Sequence, residues 1–248
     1  MPAAVDRPVV LLHGCGGSRE STFLSTGWLS ALTQAGRFFL APHLPGHGTV
    51  SGNGTSPGRA TRWERIAKPA SHDPATYVDL AGLLMPELPT GTFDLVGFSL
   101  GAKLALELGI RAPDRVGRLV LGGIGDNVFA PESIGEAAAR ALEEGATDDT
   151  PASVLAFLKT WEPDRNDALA IAAVLRRPPN PTFTEGRLRS IRAPVLIVNG
   201  DADPVARLGS RLTASLDSAT HVTLLGVDHF GLPAQPAFIE HAIEFLTS

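Results

Sequence analysis

Short apolar runs alternate with longer amphipathic stretches along most of the chain. The apolar runs lie at residues 8–12, 38–41, 95–98, 119–121 and 193–199, and a last predicted strand, which includes His221 and Thr223, lies at residues 221–225. Runs that are apolar throughout are typical of strands buried on both faces of a parallel sheet. Apolar residues with helical spacing follow most of these runs, at residues 28–35, 73–88, 102–108 and 236–246. The alternation predicts an α/β fold with a mostly parallel, doubly wound sheet of about six strands flanked by helices.

The alternation stops between residues 126 and 190. This segment contains helical stretches at residues 134–144, 154–161 and 168–176, then a proline-rich stretch at 178–181, and it has no strand pattern. The sequence therefore predicts a core formed by residues 1–125 and 191–248, interrupted by a helical insertion at residues 126–190.

The composition indicates a globular protein that acts on a small molecule. The 248 residues are 44% hydrophobic and 19% charged, and the net charge of −5 includes no block of like charge. Neither nucleic acid nor a membrane surface is therefore expected as a partner. No apolar run is long enough to span a bilayer, residues 1–7 lack the features of a signal peptide, and a single cysteine excludes an internal disulfide. We expect a cytoplasmic protein, and the sequence does not indicate its oligomeric state.

One apolar run leads into Gly97-Phe98-Ser99-Leu100-Gly101, after which the spacing of apolar residues becomes helical. The motif therefore places Ser99 at a turn between a strand and a helix. Such a turn strains the serine backbone, and the small Gly97 and Gly101 let the strand and the helix pass close together. Unpaired N–H groups at the start of the helix favour negative charge on a nearby oxygen. Ser99 is the predicted nucleophile.

A second glycine-rich loop, His13-Gly14-Cys15-Gly16-Gly17, follows the first predicted strand. Its glycines let the backbone approach a ligand, so the N–H groups of Cys15 and Leu100 can point at the same oxygen. A reactive or metal-binding thiol is the alternative for Cys15, but no second cysteine or nearby ligand cluster supports it. His13 lies just inside the strand end and is expected to brace the loop.

With these two loops the chain resembles the α/β-hydrolase superfamily, and the resemblance extends over nearly the whole sequence. It implies that Cys15 and Leu100 are the two oxyanion-hole donors and that the insertion at residues 126–190 is a cap over the nucleophile. The segment at residues 42–48 resembles the Asp-x-x-Gly-x-Gly segment of the superfamily, with His43 in place of the aspartate. The short stretch before the first predicted strand implies that the first two strands of the eight-stranded sheet are missing.

A nucleophilic serine needs a base that takes its proton and an acid that orients the base. His229 follows the last predicted strand, at the sheet edge where reactive groups gather in α/β folds. His221 is the other late histidine, but the sequence places it at the start of that strand and so at the opposite edge. His47 precedes the nucleophile and lies in a turn segment. His229 is therefore the predicted base.

Four aspartates are candidates for the acid. Asp203 has the Gly-x-x-Asp spacing of the superfamily and gives the chain order serine, aspartate, histidine, so the resemblance implies Asp203. Asp201 is expected to brace its loop, and Asp126 follows the preceding strand, where some family members carry the acid. Asp228 adjoins the predicted base, and adjacent side chains seldom face each other. Spacing alone does not separate Asp201 from Asp203.

The predicted activity is that of a serine hydrolase that cleaves an ester-like bond of a small molecule through an acyl-enzyme, without a cofactor or metal. Phe129, Phe157 and Trp161 of the insertion are expected to line the substrate pocket, or else to pack the insertion onto the core. A carboxylesterase is the leading interpretation. A thioesterase, a lactonase, a C–C bond hydrolase and a cofactor-free haloperoxidase with perhydrolase activity would use the same triad. A ligand-binding receptor with vestigial hydrolase activity is the alternative from another class.

Overall fold

The described part of the protein is built on a parallel β-sheet. The structure, a computed structural model, describes residues 7–48, 70–130, 134–178, 183–206 and 208–248. Its strands are β1 (Val9–Leu12), β2 (Phe39–Leu40), β3 (Phe93–Phe98), β4 (Val116–Gly122), β5 (Val195–Gly200) and β6 (Ala219–Leu224). All neighbours pair in parallel, in the order β2-β1-β3-β4-β5-β6. The predicted six-stranded parallel sheet is confirmed.

Helices cover both faces of the sheet. They are α1 (Trp28–Gln34), α2 (Leu80–Leu84), α3 (Leu100–Arg111), α4 (Gly135–Glu144), α5 (Ala152–Thr160), α6 (Ala168–Arg176), α7 (Glu185–Leu188), α8 (Ser210–Ala214) and α9 (Pro236–Thr247). Along β1, Val9 and Leu11 pack with α1 and α9, whereas Val10 and Leu12 pack in the cluster that contains α2 and α3. Successive side chains of a strand point to opposite faces. Because both faces of β1 are buried, its sequence is apolar throughout.

The largest differences between the predicted elements and the structure concern one helix and one strand. The helix predicted at residues 73–88 is broken into a 3-10 turn (Pro74–Tyr77), α2 and a second 3-10 turn (Met85–Glu87). The break occurs because Asp79 has a non-helical backbone and its carboxylate accepts a hydrogen bond from Gly82 N–H, 3.0 Å away, which starts a new helix. The strand predicted at residues 38–41 is only Phe39–Leu40, because β2 is an edge strand with two residues paired to β1.

The helices between β4 and β5 share a small apolar cluster of their own. Its buried members are Ala138, Ala141, Val154, Phe157 and Ile171, from α4, α5 and α6. Cys15 and Phe230, from the loops after β1 and β6, pack against this cluster. The helices therefore contact the core at the carboxyl edge of the sheet. Residues 179–181 of the predicted proline-rich stretch lie outside the described residues.

None of the helices in the described ranges is both long enough and apolar enough to cross a membrane.

Candidate active site

Ser99 lies at the turn between β3 and α3 in a strained backbone conformation. With φ at 53°, it is the one non-glycine residue of positive φ in the part of the chain that the structure describes. A Cβ on Gly97 would lie 2.5 Å from the carbonyl oxygen of Gly101, and a Cβ on Gly101 would lie 2.0 Å from the carbonyl oxygen of Leu12. Only glycine fits at these two positions. The sharp turn that the motif predicts is therefore present, and both glycines are there for the predicted reason.

The structure brings together Ser99, His229 and Asp203. The Oγ of Ser99 is 3.0 Å from Nε2 of His229, and Nδ1 of the same ring is 2.8 Å from Oδ2 of Asp203. His229 and Asp203 are almost completely buried. Because a carboxylate accepts the hydrogen bond from Nδ1–H, Nε2 is left to accept the serine proton. The arrangement is that of a serine nucleophile, a general base and an orienting acid.

Asp203 is held in its ionised form. Its Oδ1 accepts hydrogen bonds from the N–H groups of Val205 and Ala206, at 2.7 and 2.9 Å, while Oδ2 faces His229. Burial raises the pKa of this carboxyl, but the hydrogen bonds from His229 and from the two N–H groups outweigh burial and lower the pKa below its ordinary value.

The other candidate acids have local structural roles. Asp201 accepts a hydrogen bond from Gly226 N–H at 2.6 Å, as expected of a loop brace. Asp126 accepts one from Leu212 N–H at 2.8 Å, in the first turn of α8, and Asp228 accepts one from Gly231 N–H at 2.7 Å. Geometry thus separates Asp203 from Asp201, which spacing could not do.

His221 does not begin its strand, contrary to the sequence prediction. It is the third residue of β6, because pairing with β5 starts at Ala219 opposite Val195. Its Nε2 lies 3.4 Å from the amide nitrogen of Asn199, and burial lowers its pKa. The Ser99 hydroxyl is hydrogen-bonded by a different histidine, so His221 is not part of the candidate triad.

Aromatic rings hold His229 on two sides, and sequence reasoning missed them. The Phe98 and Phe230 ring centroids lie 5.0 and 5.2 Å from that of His229. A Cβ on Gly123 would come within 3.0 Å of the His229 ring, so glycine leaves space for the imidazole there. The signal was present, because Phe98 lies inside the serine motif and Phe230 directly follows the histidine.

The loop after β1 passes beside the nucleophile. Leu12 pairs with Gly97, so the loops after β1 and β3 leave the sheet side by side. A Cβ on Gly14 would lie 3.5 Å from the Cβ of Ser99. Leu100 is the first residue of α3, where N–H groups have no acceptor within the helix. Cys15 and Leu100 therefore lie in the two segments that border the Ser99 hydroxyl, and their role as oxyanion donors stays a prediction.

Two of the three predicted pocket residues reach this loop. A Cβ on Gly16 would lie 2.6 Å from a ring carbon of Phe157 and 3.7 Å from one of Trp161. Phe129 instead packs against the larger core cluster, and the Arg211 guanidinium lies 3.9 Å from its ring centroid. The contacts of Phe129 correspond to the packing alternative rather than to a pocket wall.

Buried histidines brace the same loop. His13 Nε2 accepts a hydrogen bond from Leu44 N–H at 3.2 Å, and His47 Nε2 accepts one from Gly16 N–H at 3.0 Å. Burial lowers the pKa of His13 well below its ordinary value and lowers that of His47 to about 4. Both rings are therefore neutral at pH 7. Across the described ranges, no group of three or more His, Cys, Asp or Glu side chains is arranged to hold a metal ion.

Comparison with known proteins identifies the family to which the fold belongs. The model of the Alpha/beta hydrolase family matches residues 9–242. The chain belongs to this family. The resemblance inferred from the sequence is thereby confirmed, and with it the fold class.

The relatives within the alpha/beta hydrolase family include one curated esterase and many solved structures. Esterase Rv0045c of Mycobacterium tuberculosis is 32% identical over 113 residues, which are 46% of this chain and 31% of that protein. The match thus spans less than a third of the esterase. The enol-lactonase of Burkholderia xenovorans LB400 has a TM-score of 0.70 at 20% identity, covering 100% of this chain and 94% of its own. A bromoperoxidase of Bacillus anthracis has a TM-score of 0.68 at 17% identity, covering 98% and 92%. At these identities, the similarity to the two structures shows the fold alone.

Proposed function

We propose that this protein is a serine hydrolase that cleaves an ester-like bond of a small molecule, with a carboxylester as the substrate class. The observation that carries the proposal is the hydrogen-bonded series from Asp203 through His229 to Ser99, at a strained turn between strand and helix. The partial match to an esterase supports the choice of ester over the other substrates that this fold accepts.

The mechanism uses groups of this chain only. His229 Nε2 takes the proton of Ser99 Oγ as that oxygen attacks the carbonyl carbon, and the Asp203 carboxylate stabilises the imidazolium that forms. The backbone N–H groups of Cys15 and Leu100 donate hydrogen bonds to the resulting oxyanion. His229 then gives its proton to the leaving alcohol, and the acyl group stays on Ser99. A water molecule then attacks the acyl carbonyl carbon while His229 takes one of its protons. The bond to Ser99 Oγ breaks, His229 gives that proton to Oγ, and the acid is released.

The helical insertion at residues 126–190 serves, in this proposal, as a cap that forms part of the substrate site. Support comes from Phe157 and Trp161, whose rings lie against Gly16, and from the apolar cluster that Cys15 and Phe230 share with the cap helices. Because these side chains are apolar, the acyl group that they face would be uncharged. Phe129 is not included, since it packs on the core.

The test is covalent labelling of Ser99. Wild-type protein, Ser99→Ala and the control Ser190→Ala are treated with a fluorophosphonate, and their intact masses are measured. Ser190 is a suitable control because its exposed hydroxyl makes a local hydrogen bond to the carbonyl oxygen of Arg187. We expect one adduct on the wild type and on Ser190→Ala, and none on Ser99→Ala.

Turnover of p-nitrophenyl esters of increasing acyl length is measured on the same samples, with an aliphatic lactone and an acyl thioester beside them. Turnover that disappears with Ser99→Ala establishes the serine hydrolase, and the preferred substrate assigns its class. A folded wild type that takes up no label and hydrolyses none of these substrates would contradict the proposal and favour a ligand-binding receptor.

A further inference from the structure

A side chain of the insertion holds the loop that carries Cys15. Asn166, between α5 and α6, is only 3% exposed. Its amide nitrogen donates hydrogen bonds to the carbonyl oxygens of Gly16 and Gly17, at 3.1 and 3.2 Å. Its amide oxygen accepts a hydrogen bond from Gly48 N–H at 3.0 Å. One buried side chain therefore joins the insertion, the loop after β1 and the loop after β2.

Gly16 is held at both of its backbone polar groups. Its carbonyl oxygen accepts from Asn166, and its N–H donates to Nε2 of His47 at 3.0 Å. The φ of Gly16 is +74°, a left-handed conformation that no helix or strand maintains. The two side chains thus fix the conformation of the residue that directly follows Cys15.

Two further contacts join the insertion to this loop. The Ser18 hydroxyl donates a hydrogen bond to Oε2 of Glu162 at 2.9 Å, and the Phe157 ring covers Gly16. Burial of a primary amide is costly unless both its donors and its acceptor are satisfied, and Asn166 meets that condition with backbone groups alone. The amide is thus matched to this particular conformation of the loop.

We propose that Asn166 is a positioning residue that sets the direction of the Cys15 N–H through Gly16 and Gly17, so that stabilisation of the oxyanion depends on the insertion. This inference rests on the proposed function, since it needs Cys15 to be an oxyanion donor. A displacement of about 1 Å at a reacting centre can cost about 10²-fold in rate, so loss of the hydrogen bonds of Asn166 should be visible in kcat.

The principal variant is Asn166→Asp. It keeps an oxygen that accepts from Gly48 N–H, but it turns a carboxylate oxygen towards the carbonyl oxygens of Gly16 and Gly17. Asn166→Ala removes the hydrogen bonds without adding this repulsion. The matched control is Asp167→Ala, one residue further on, where the carboxylate caps α6 through Leu169 N–H at 2.9 Å. The control weakens the same part of the insertion without touching the loop.

Three quantities are measured with a p-nitrophenyl ester: kcat, KM, and the inhibition constant of a trifluoromethyl ketone, whose tetrahedral adduct places an oxyanion in the site. Asn166→Asp should lower kcat about 30- to 100-fold and Asn166→Ala about 10-fold. Inhibition by the ketone should weaken in parallel, with KM within about threefold of wild type. Asp167→Ala should keep all three within about threefold of wild type, whatever its melting temperature.

The inference would be overturned if folded Asn166 variants had the same kcat and the same inhibition by the ketone as the wild type. An increase in KM with kcat unchanged would overturn it as well. If Asn166→Asp does not fold, as judged by circular dichroism, Asn166→Ser provides the same readouts with a smaller donor. A wild type that neither hydrolyses esters nor binds the ketone would overturn the proposed function as well. If the wild type is active and the Asn166 variants match it, the inference fails while the proposed function stands.

Discussion

The candidate triad and the loop after β1 meet at Ser99, yet they are held in place by different means. Ser99 directly follows β3, and Asp203 and His229 lie in the loops after β5 and β6, so the strands of the sheet set their separation. The loop after β1 contains a left-handed glycine, and its hydrogen bonds come from His47 and from Asn166 of the insertion. In the proposed mechanism, activation of the serine and stabilisation of the oxyanion therefore depend on separate parts of the chain.

The histidines show the same contrast. In the proposed mechanism, the Asp203 carboxylate that faces His229 stabilises the imidazolium that forms during the reaction. His47 has an N–H donor on one side and the Pro45 carbonyl oxygen on the other, is fully buried, and its pKa is lowered to about 4. One histidine is built to gain a proton, and the other is built to remain neutral. Variants in the two regions should therefore affect different properties, such as kcat, stability or substrate preference, and by different amounts.

The largest effect is expected at the acid. Asp203→Asn removes the carboxylate that orients His229, and the amide favours the wrong tautomer, so kcat should fall about 10⁴-fold. Asp201→Asn, two residues away, should keep kcat within a few-fold of wild type because Asp201 only accepts Gly226 N–H. Steady-state kinetics with a p-nitrophenyl ester measures both variants. An equal fall in kcat in the two variants, or a greater fall with Asp201→Asn, would mean that Asp203 is not the acid that orients His229.

The positions of the candidate triad residues could be predicted from the sequence, because each lies at or shortly after the end of a predicted strand. The conformation of Ser99 follows from Gly97 and Gly101, whose absent side chains would meet backbone atoms. Loop position indicated His229, and the resemblance to the superfamily implied Asp203, although only the structure distinguishes Asp203 from Asp201. These residues needed no knowledge of how distant helices pack.

The hydrogen bonds by which the insertion holds the loop after β1 could not be predicted in this way, although His13 was expected to brace the loop. Asn166 lies 150 residues from Gly16 in the chain, and the contact depends on how α5 and α6 pack over the sheet. A lone asparagine between two helices carries no pattern. The broken helix at residues 73–88 has a similar origin, since its apolar spacing continues past Asp79 while a local side-chain hydrogen bond starts α2. The spacing of apolar residues indicates which face of a helix is buried, but it does not indicate which hydrogen bonds interrupt the helix.

The next largest effect is expected on stability at acidic pH. His47 has a pKa of about 4 in the folded protein and an ordinary value of 6.5 when exposed. Between these values the unfolded chain binds more protons than the folded one, so the free energy of unfolding falls as the pH falls from 6.5 towards 4. For His47 alone the loss is about 3 kcal/mol. Urea unfolding at pH 4 to 7, followed by circular dichroism, measures it.

His47→Gln is the control for this prediction. The glutamine oxygen can accept from Gly16 N–H but does not titrate, so the variant should lose less stability than the wild type over the same pH range. The carboxyl of Asp203 titrates in both proteins, and its contribution cancels in the comparison. The His47 ring is one of the causes that lower the pKa of His13, so the difference between the two proteins measures His47 together with its effect on His13. Identical pH dependence in the two proteins would mean that His47 is not held neutral by the fold.

The smallest effect is expected at the pocket wall, where Trp161→Ala should change which substrates are preferred rather than how Ser99 reacts. The ring lies against Gly16, so its removal should change the ratio of kcat/KM between long and short acyl esters by about 10-fold. The rate of labelling by a small fluorophosphonate should stay within about threefold of wild type. Phe129→Ala is the matched control, because its ring packs on the core under Arg211. If the ratio is unchanged, or if Phe129→Ala changes it equally, the acyl group does not bind beside Trp161. A changed ratio with an unchanged labelling rate would show that the Trp161 ring affects substrate choice without affecting the reactivity of Ser99. Within the insertion, Trp161 would then act on substrate choice, in contrast to Asn166, which we propose acts on the oxyanion.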